Sequence, residues 1–293
     1  MLQTKVVESY CTSLEALGRA ERTIGASKER LGGLQIFLSE RGISQIEKIG
    51  PELIDSYISL SYRKGLSEFT VAGRIQVIKT FFKWSVKRQY IEQSPAAHLK
   101  KPRLNYRTKD KTIRQEDLVT MIRFAQQTQN IMVEAMLMVF ADTGCRAGEL
   151  CGMSIDDLDF VNKEVLVSGK TGERFIDFTE NTAIVLKSYI LFRTKMNLTT
   201  QALFINGERK RITVNQVYLR FRKIAEKLNV KRYNPQSIRH RVGQGWLDQG
   251  ANLEIVRQKL GHKDIQTTAL YYSHQDRSRV KDATKKFSLV QDI

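Results

Sequence analysis

A phosphate is held in a fixed orientation best by arginine, whose planar guanidinium presents a rigid fork of donors. Two arginines of this 293-residue chain stand in settings that would fix such a fork. Arg146 lies in Thr143-Gly144-Cys145-Arg146-Ala147-Gly148-Glu149-Leu150, which follows an apolar helix and opens another. In that second helix Arg146, Glu149 and Leu150 fall at i, i+3 and i+4 on one face. Glu149 therefore braces Arg146, either as an oriented phosphate clamp or as half of a structural salt bridge. Arg239 follows Asn234-Pro235, a helix start with Asn at the cap and Pro at the first helical position. Gln236, Arg239 and His240 occupy the first turns, Gln236 and Arg239 sharing a face, where unpaired N–H groups attract an anion. Lys170 sits at the tip of a predicted hairpin between Gly169 and Gly172. Leu260-Gly261-His262 reads as a helix end, and the tandem tyrosines Tyr271 and Tyr272 follow it. Each signal alone also fits a solvated lysine, a structural histidine or core tyrosines. Their order and spacing together do not.

The set Arg146, Lys170, Gln236-x-x-Arg239-His240, Leu-Gly-His262 and Tyr271 resembles the tyrosine recombinase (lambda-integrase, Xer-like) family. The segments TGCRAGEL and LGHKDIQTTALYYSH are similar to that family's two best-marked boxes. The likeness covers 113–293 as a catalytic domain and, more loosely, 1–99 as a helical core-binding domain ending in Ser94-Pro95-Ala96. It implies a C-shaped clamp of two halves around a duplex, with four protomers on two specific sites. It also implies transesterification, in which a tyrosine oxygen attacks a backbone phosphorus, expels a 5′-hydroxyl and leaves a 3′-phosphotyrosyl bond. A tyrosine of ordinary pKa, about 10, is protonated at neutral pH and needs a base or a cationic site. Charge gained by the pentacoordinate phosphate is offset by preorganised guanidiniums.

Position by position, the resemblance makes Arg146 and Arg239 the clamp on the non-bridging oxygens. Lys170 becomes the general acid for the leaving oxygen, His262 a donor to the phosphate, and Tyr271 the nucleophile. Glu149 orients the site. Side chains carry the charge and the phosphotyrosyl bond preserves the ester energy, so no metal, ATP or other cofactor is implied. Where the family has His or Lys three residues before the second arginine, this chain has Gln236, which can donate to a phosphate oxygen but cannot shuttle a proton. His240 is then a stand-in acceptor or a structural residue. Tyr271 has the family spacing, nine residues after His262 and thirty-two after Arg239. Tyr272 fits the Tyr-x-His pattern through His274 and is the alternative nucleophile.

The elements that must position these groups can be read from hydrophobic periodicity. Leu31, Leu34, Phe37 and Leu38, then Leu53, Tyr57 and Leu60, then Val71 to Trp84 recur at helical spacing. Gly42, Gly50-Pro51 and Gly65 punctuate them, so 1–99 is expected to be a small all-α domain. Residues 113–293 read as mixed α+β and mainly helical. A helix starts at Glu116-Asp117, where the helix dipole favours acid. A hairpin pairs Val165-Leu166-Val167 with Phe175-Ile176-Asp177-Phe178. The tail, 275–293, carries Val280, Ala283, Phe287 and Val290 at helical spacing and is expected to dock on a neighbouring protomer.

Forty-eight Lys and Arg against thirty-one Asp and Glu leave a net charge of +17, which points to a polyanionic partner. The surplus peaks in Lys100 to Arg114, with seven basic residues and one acidic, a stretch read as a linker over 100–112 along a phosphate backbone. Lys100, Lys101, Arg103 and Arg107 are its candidate DNA contacts. Lys83 and Lys87 beside the aromatic run, Arg209-Lys210-Arg211, and Arg220 and Arg222 are further ones. The longest apolar run, Ala135 to Ala141, is far short of the ~20 residues that span a bilayer. Three cysteines make no disulfide framework or metal spacing, so a cytoplasmic, nucleoid-associated protein is expected. The expected function is site-specific DNA recombination. The rivals are a type IB topoisomerase or telomere resolvase, which share the chemistry, and a catalytically silent DNA-binding regulator. The target site, the direction of recombination and any accessory factors are not encoded in these motifs.

Overall fold

The computed structural model describes residues 3–102, 112–169, 172–196 and 198–261. The chain divides into two compact units, Met1–Tyr106 and Arg107–Ile293. The first unit is built from four helices, α1 (Gln3–Ala16), α2 (Glu21–Ser39), α3 (Pro51–Arg63) and α4 (Glu68–Lys87). Their starts follow from the sequence: Pro51 fills the first position of α3, and the Ser67 hydroxyl accepts the Thr70 N–H to cap α4. The periodic positions Leu31, Leu34, Phe37 and Leu38 of α2 face Val71, Ile75, Ile78, Phe81 and Phe82 of α4 in one core. Tyr10 closes it from α1, edge-on to Phe81 at 5.4 Å and Trp84 at 5.2 Å. Lys79 donates to the carbonyls of Ala97 and Leu99, fastening the Ser94–Leu99 segment to α4.

The second unit is helical with one small sheet. Its order is α5 (Gln115–Gln127), α6 (Ile131–Thr143), α7 (Ala147–Gly152), β1 (Leu158–Asp159), β2 (Glu164–Gly169), β3 (Gly172–Asp177), α8 (Glu180–Thr194), α9 (Val214–Lys227), α10 (Pro235–Asp248) and α11 (Leu253–Leu260). The sheet is antiparallel in the order β1-β2-β3. β1 escapes sequence periodicity because two residues cannot display a period. α6 is the spine, with Val133, Met136, Leu137, Val139 and Phe140 all buried, and Phe140 meets Phe221 of α9 edge-on at 5.8 Å. Asp142 at the end of α6 accepts from the Thr179 N–H and from the hydroxyls of Thr179 and Thr182, which locks the start of α8. α11 rests on its own small cluster, Val256 and Leu260 against Trp246, Leu247, Ala251 and Leu253.

Candidate functional site

Arg146, Glu149 and Arg239 converge where α7, β3, α10 and α11 meet. α6 stops at Gly144, whose φ of +58° is left-handed. A Cβ there would also stand 2.9 Å from Leu260 Cδ2, so glycine is required twice over. The chain then turns through Cys145 into Arg146. Arg146 is not inside the next helix, as its spacing to Glu149 suggested. It is the N-cap of α7, with extended backbone at φ −75° and ψ 149°. Glu149 is the third helical residue, and its carboxylate turns back to accept the Arg146 N–H at 2.7 Å. The backbone and the guanidinium of Arg146 are thereby both held, since Arg146 Nη1 donates to Glu149 Oε1 at 2.8 Å.

Glu149 is 2% exposed and serves a second arginine that periodicity did not single out. Arg174 of β3 donates Nη1 to Oε1 at 2.7 Å and Nη2 to Oε2 at 3.1 Å. Burial works against a charged Glu149, but the hydrogen bonds of Arg174 and Arg146 outweigh it and hold the carboxyl below its ordinary pKa. The signal for Arg174 was strand alternation. It shares its side of β3 with Ile176, and Phe178 beyond the strand end continues that side, both buried, whereas Phe175 between them is 62% exposed. An arginine in register with core positions has a buried partner to meet.

Arg239 reaches the same place from α10, whose start is capped as read: Asn234 Oδ1 accepts the Ser237 N–H and Pro235 is the first helical residue. Arg239 is 3% exposed and donates to the carbonyls of Gly144 at 2.6 Å and Leu260 at 2.5 Å. Burial, reinforced by the neighbouring Arg146, lowers its pKa to about 10, which still leaves it charged at neutral pH. The adjacent Cys145 thiol is pushed up to about 12 by burial and stays neutral. Three guanidiniums thus surround one carboxylate, a surplus of two positive charges.

The carbonyl end of α11 is the common anchor. Leu260 O accepts from Arg239 and, at 3.4 Å, from Arg174, while Gly261 O accepts Arg146 Nη2 at 2.9 Å. The negative end of the helix dipole favours cations there. Lys259, half-buried against Trp246, adds a tie to β3 through the Asp177 carbonyl at 3.2 Å. Gly261 ends the helix at φ +64°, and a Cβ on it would lie 2.6 Å from Arg174 Cζ. Gly261→Ala is therefore expected to cost about 1–2 kcal/mol in left-handed backbone and to lever Arg174 off Glu149. Thermal melts and cleavage of a nicked DNA substrate should both decline; parity with the parent in both would refute this.

Gln236 and His240 pair with each other at the exposed start of α10, Nε2 to Nε2 at 3.2 Å, while Arg239 on the same helix turns inward. Lys170, His262, Tyr271 and Tyr272 lie outside the described residues, as do Arg103, Arg107 and the tail 275–293. Of the other basic candidates, Lys83, Lys100 and Lys101 surround, with Lys79, a groove of about 940 Å³ in the first unit. Lys87, Arg209 and Lys210 are exposed. Lys210 pairs with Glu208 at 3.3 Å and Arg222 with Glu226 at 2.7 Å. Arg220 is half-buried beside α5 and α6. Arg211 is exposed, and its guanidinium is also bonded within the unit. Its Nη1 donates to the carbonyls of Cys151, Gly152 and Met153, and Nη2 to the Ser154 hydroxyl, so its guanidinium caps α7. The orphan carbonyls of a helix end explain that capture.

Comparison with known proteins shows the family and the fold. The model of the phage integrase family matches residues 111–279, and that of the phage integrase N-terminal SAM-like domain matches residues 7–89. The chain is 28% identical over 286 residues to the tyrosine recombinase XerC of Corynebacterium glutamicum, covering 96% of this chain and 91% of that one. It is 26% identical to the tyrosine recombinase XerD of Staphylococcus epidermidis, covering 96% and 98%. The fold is similar to the Tn1549 transposon integrase solved with transposon right end DNA, with a TM-score of 0.75 at 18% identity over 98% of this chain and 99% of that chain. It is also similar to the XerH recombinase bound to a palindromic difH substrate, with a TM-score of 0.74 at 18% identity, covering 95% and 83%. Among the described residues no helix is long and apolar enough to cross a membrane. The chain belongs to the phage integrase family, and it is a tyrosine-type site-specific DNA recombinase.

Proposed function

We propose that this recombinase cuts and rejoins double-stranded DNA through a 3′-phosphotyrosyl bond, with Tyr271 as nucleophile. Arg146 and Arg239 hold the non-bridging oxygens of the scissile phosphate. Lys170 protonates the leaving 5′-oxygen and His262 donates to the phosphate. The observation that carries this reading is the surplus of two positive charges around Glu149, tied to the α11 carbonyls one residue before His262. Dianionic charge developing on a pentacoordinate phosphorus is what such a fixed cationic cluster stabilises, without reorganising during the reaction. Gln236 and His240, paired at the N-terminal turn of α10, add donors to the same anion site.

DNA is the partner, with Lys79, Lys83, Lys100 and Lys101 around their groove meeting backbone phosphates, which position the protein without specifying sequence. Residues 1–99 act as the DNA-holding unit, 100–112 as the basic connection and 113–293 as the catalytic unit, in the cytoplasm where the DNA lies. Four protomers assemble on two sites, and the tail 275–293 seats on a neighbouring protomer. The test is a suicide substrate nicked beside the scissile phosphate, which strands the covalent intermediate. After denaturation and proteolysis, DNA attached to a peptide through Tyr271 is expected. Attachment through Tyr272 reassigns the nucleophile, and the absence of any adduct from the intact, DNA-bound protein sinks the mechanism.

A further inference from the structure

The buried carboxylate of Glu149 holds the Arg146 guanidinium by Oε1 alone while its Oε2 accepts the Arg146 backbone N–H, and that arrangement needs an explanation. Arginine–carboxylate pairs frequently close into a two-bonded fork, which would commit the Arg146 guanidinium to Glu149. Instead Arg174 occupies the carboxylate through both oxygens, at 2.7 and 3.1 Å. The Arg146 guanidinium shares only Oε1, its backbone N–H lies on Oε2, and its Nη2 turns to the Gly261 carbonyl. We infer that Arg174 is a positioning residue for cleavage: by occupying both oxygens of Glu149 it prevents that carboxylate from capturing the Arg146 guanidinium, and so keeps Arg146 aimed at the phosphate. The inference rests on the proposed role of Arg146 and extends it to a residue one step removed.

The geometry gives Arg174 the means. It is 19% exposed, lies on the buried side of β3, and is paired in register with Val167 of β2. Its Nη2 also approaches Leu260 O at 3.4 Å, so the same side chain links the strand that follows Lys170 to the helix that precedes His262. Its Nε is buried with no partner among the described residues, a cost the fold also tolerates at Arg193. Charge counting sets the expectation. The native cluster carries three cations and one anion. Arg174→Ala removes one cation and leaves Glu149 to close on Arg146. Adding Glu149→Gln restores the native surplus of two and abolishes the capture.

The experiment measures single-turnover cleavage of a nicked substrate and, separately, affinity for one binding site. Arg174→Ala is expected to slow cleavage roughly 10–100-fold, the range typical when the partner that orients a functional side chain is lost, with affinity little changed. The double variant Arg174→Ala/Glu149→Gln should cleave faster than Arg174→Ala, and Arg174→Lys, which keeps the charge, should lie between Arg174→Ala and the parent. In Arg174→Ala alone, lowering the pH toward the carboxylate range should recover part of the rate, because a protonated Glu149 releases Arg146. Parent-like cleavage by Arg174→Ala overturns the inference. So does a double variant no faster than the single, since a purely structural arginine is not rescued by neutralising its partner. If thermal melts show Arg174→Ala unfolded, the comparison of Arg174→Lys with Arg174→Lys/Glu149→Gln decides: a rate raised by Glu149→Gln supports capture, and an unchanged one refutes it. Arg146→Ala serves as the control. Undiminished cleavage there would reject the phosphate clamp itself, whereas its loss beside an active Arg174→Ala would reject only the role of Arg174.

Discussion

Arg239→Met is expected to reduce single-turnover DNA cleavage by about 100–1,000-fold, the loss typical of removing one preorganised donor to a developing anion, while the melting temperature moves little. The two halves of this expectation come from one environment. At 3% exposure the guanidinium is desolvated, and Arg146 beside it carries like charge. Its pKa therefore falls to about 10 from an ordinary value well above that. A base with a lowered folded pKa burdens the fold while charged; the burden is present at neutral pH and lifts only as pH climbs through about 10. An apolar side chain of similar length removes it, a change worth about 1–4 kcal/mol in buried ionic clusters. Against this, the carbonyl of Gly144 loses its donor and that of Leu260 keeps only Arg174 at 3.4 Å, at roughly 1–3 kcal/mol for each weakened acceptor. The terms oppose each other at similar size, so the lost activity is chemical and not a failure to fold. Parent-like cleavage by a folded Arg239→Met would remove Arg239 from the mechanism.

Glu149→Ala should instead weaken the fold itself. The carboxylate is the sole acid among three guanidiniums in the described cluster, and it also holds the first turn of α7 through the Arg146 N–H. Deleting one partner of a buried ion pair costs about 3–5 kcal/mol. In a unit of this size that corresponds to a fall of about 10 °C in melting temperature. The effect carries a pH signature. Because the folded pKa of Glu149 is lowered, its stabilisation is present above the unfolded carboxylate value, about 4.3, and is lost as pH falls through the folded one. The gap in melting temperature between parent and Glu149→Gln should be wide at pH 7 and narrow progressively below pH 4. A gap independent of pH would mean that packing, not charge, explains Glu149.

The helices of the first unit were legible because their apolar residues repeat over three or more turns and glycine or serine marks their ends; Leu31 to Leu38 and Val71 to Phe82 are buried as their spacing required. The hairpin was legible from Val165, Val167 and Ile176. Two kinds of feature were not. Arg146 and Glu149 satisfy i, i+3 equally well inside a helix or as cap and third residue, and only hydrogen bonding distinguishes the two. Arg174 and Arg211 look like any surface arginine, yet one faces a buried carboxylate and the other a helix end. Their partners lie 25 and about 60 residues away, so strand alternation marks Arg174 as inward-facing without naming its partner, and no local pattern records Arg211. What sequence cannot display is which charge is spent inside the protein and which is left for a ligand.

All three guanidiniums are hung on two consecutive carbonyls, those of Leu260 and Gly261. They therefore share a single mechanical coordinate. A small tilt of that short segment displaces the whole trio in concert, so its members cannot be tuned one at a time. Improvement or damage at the site is collective, and substitutions at Leu260 or Gly261 should show strongly non-additive effects when combined with changes to any of the three.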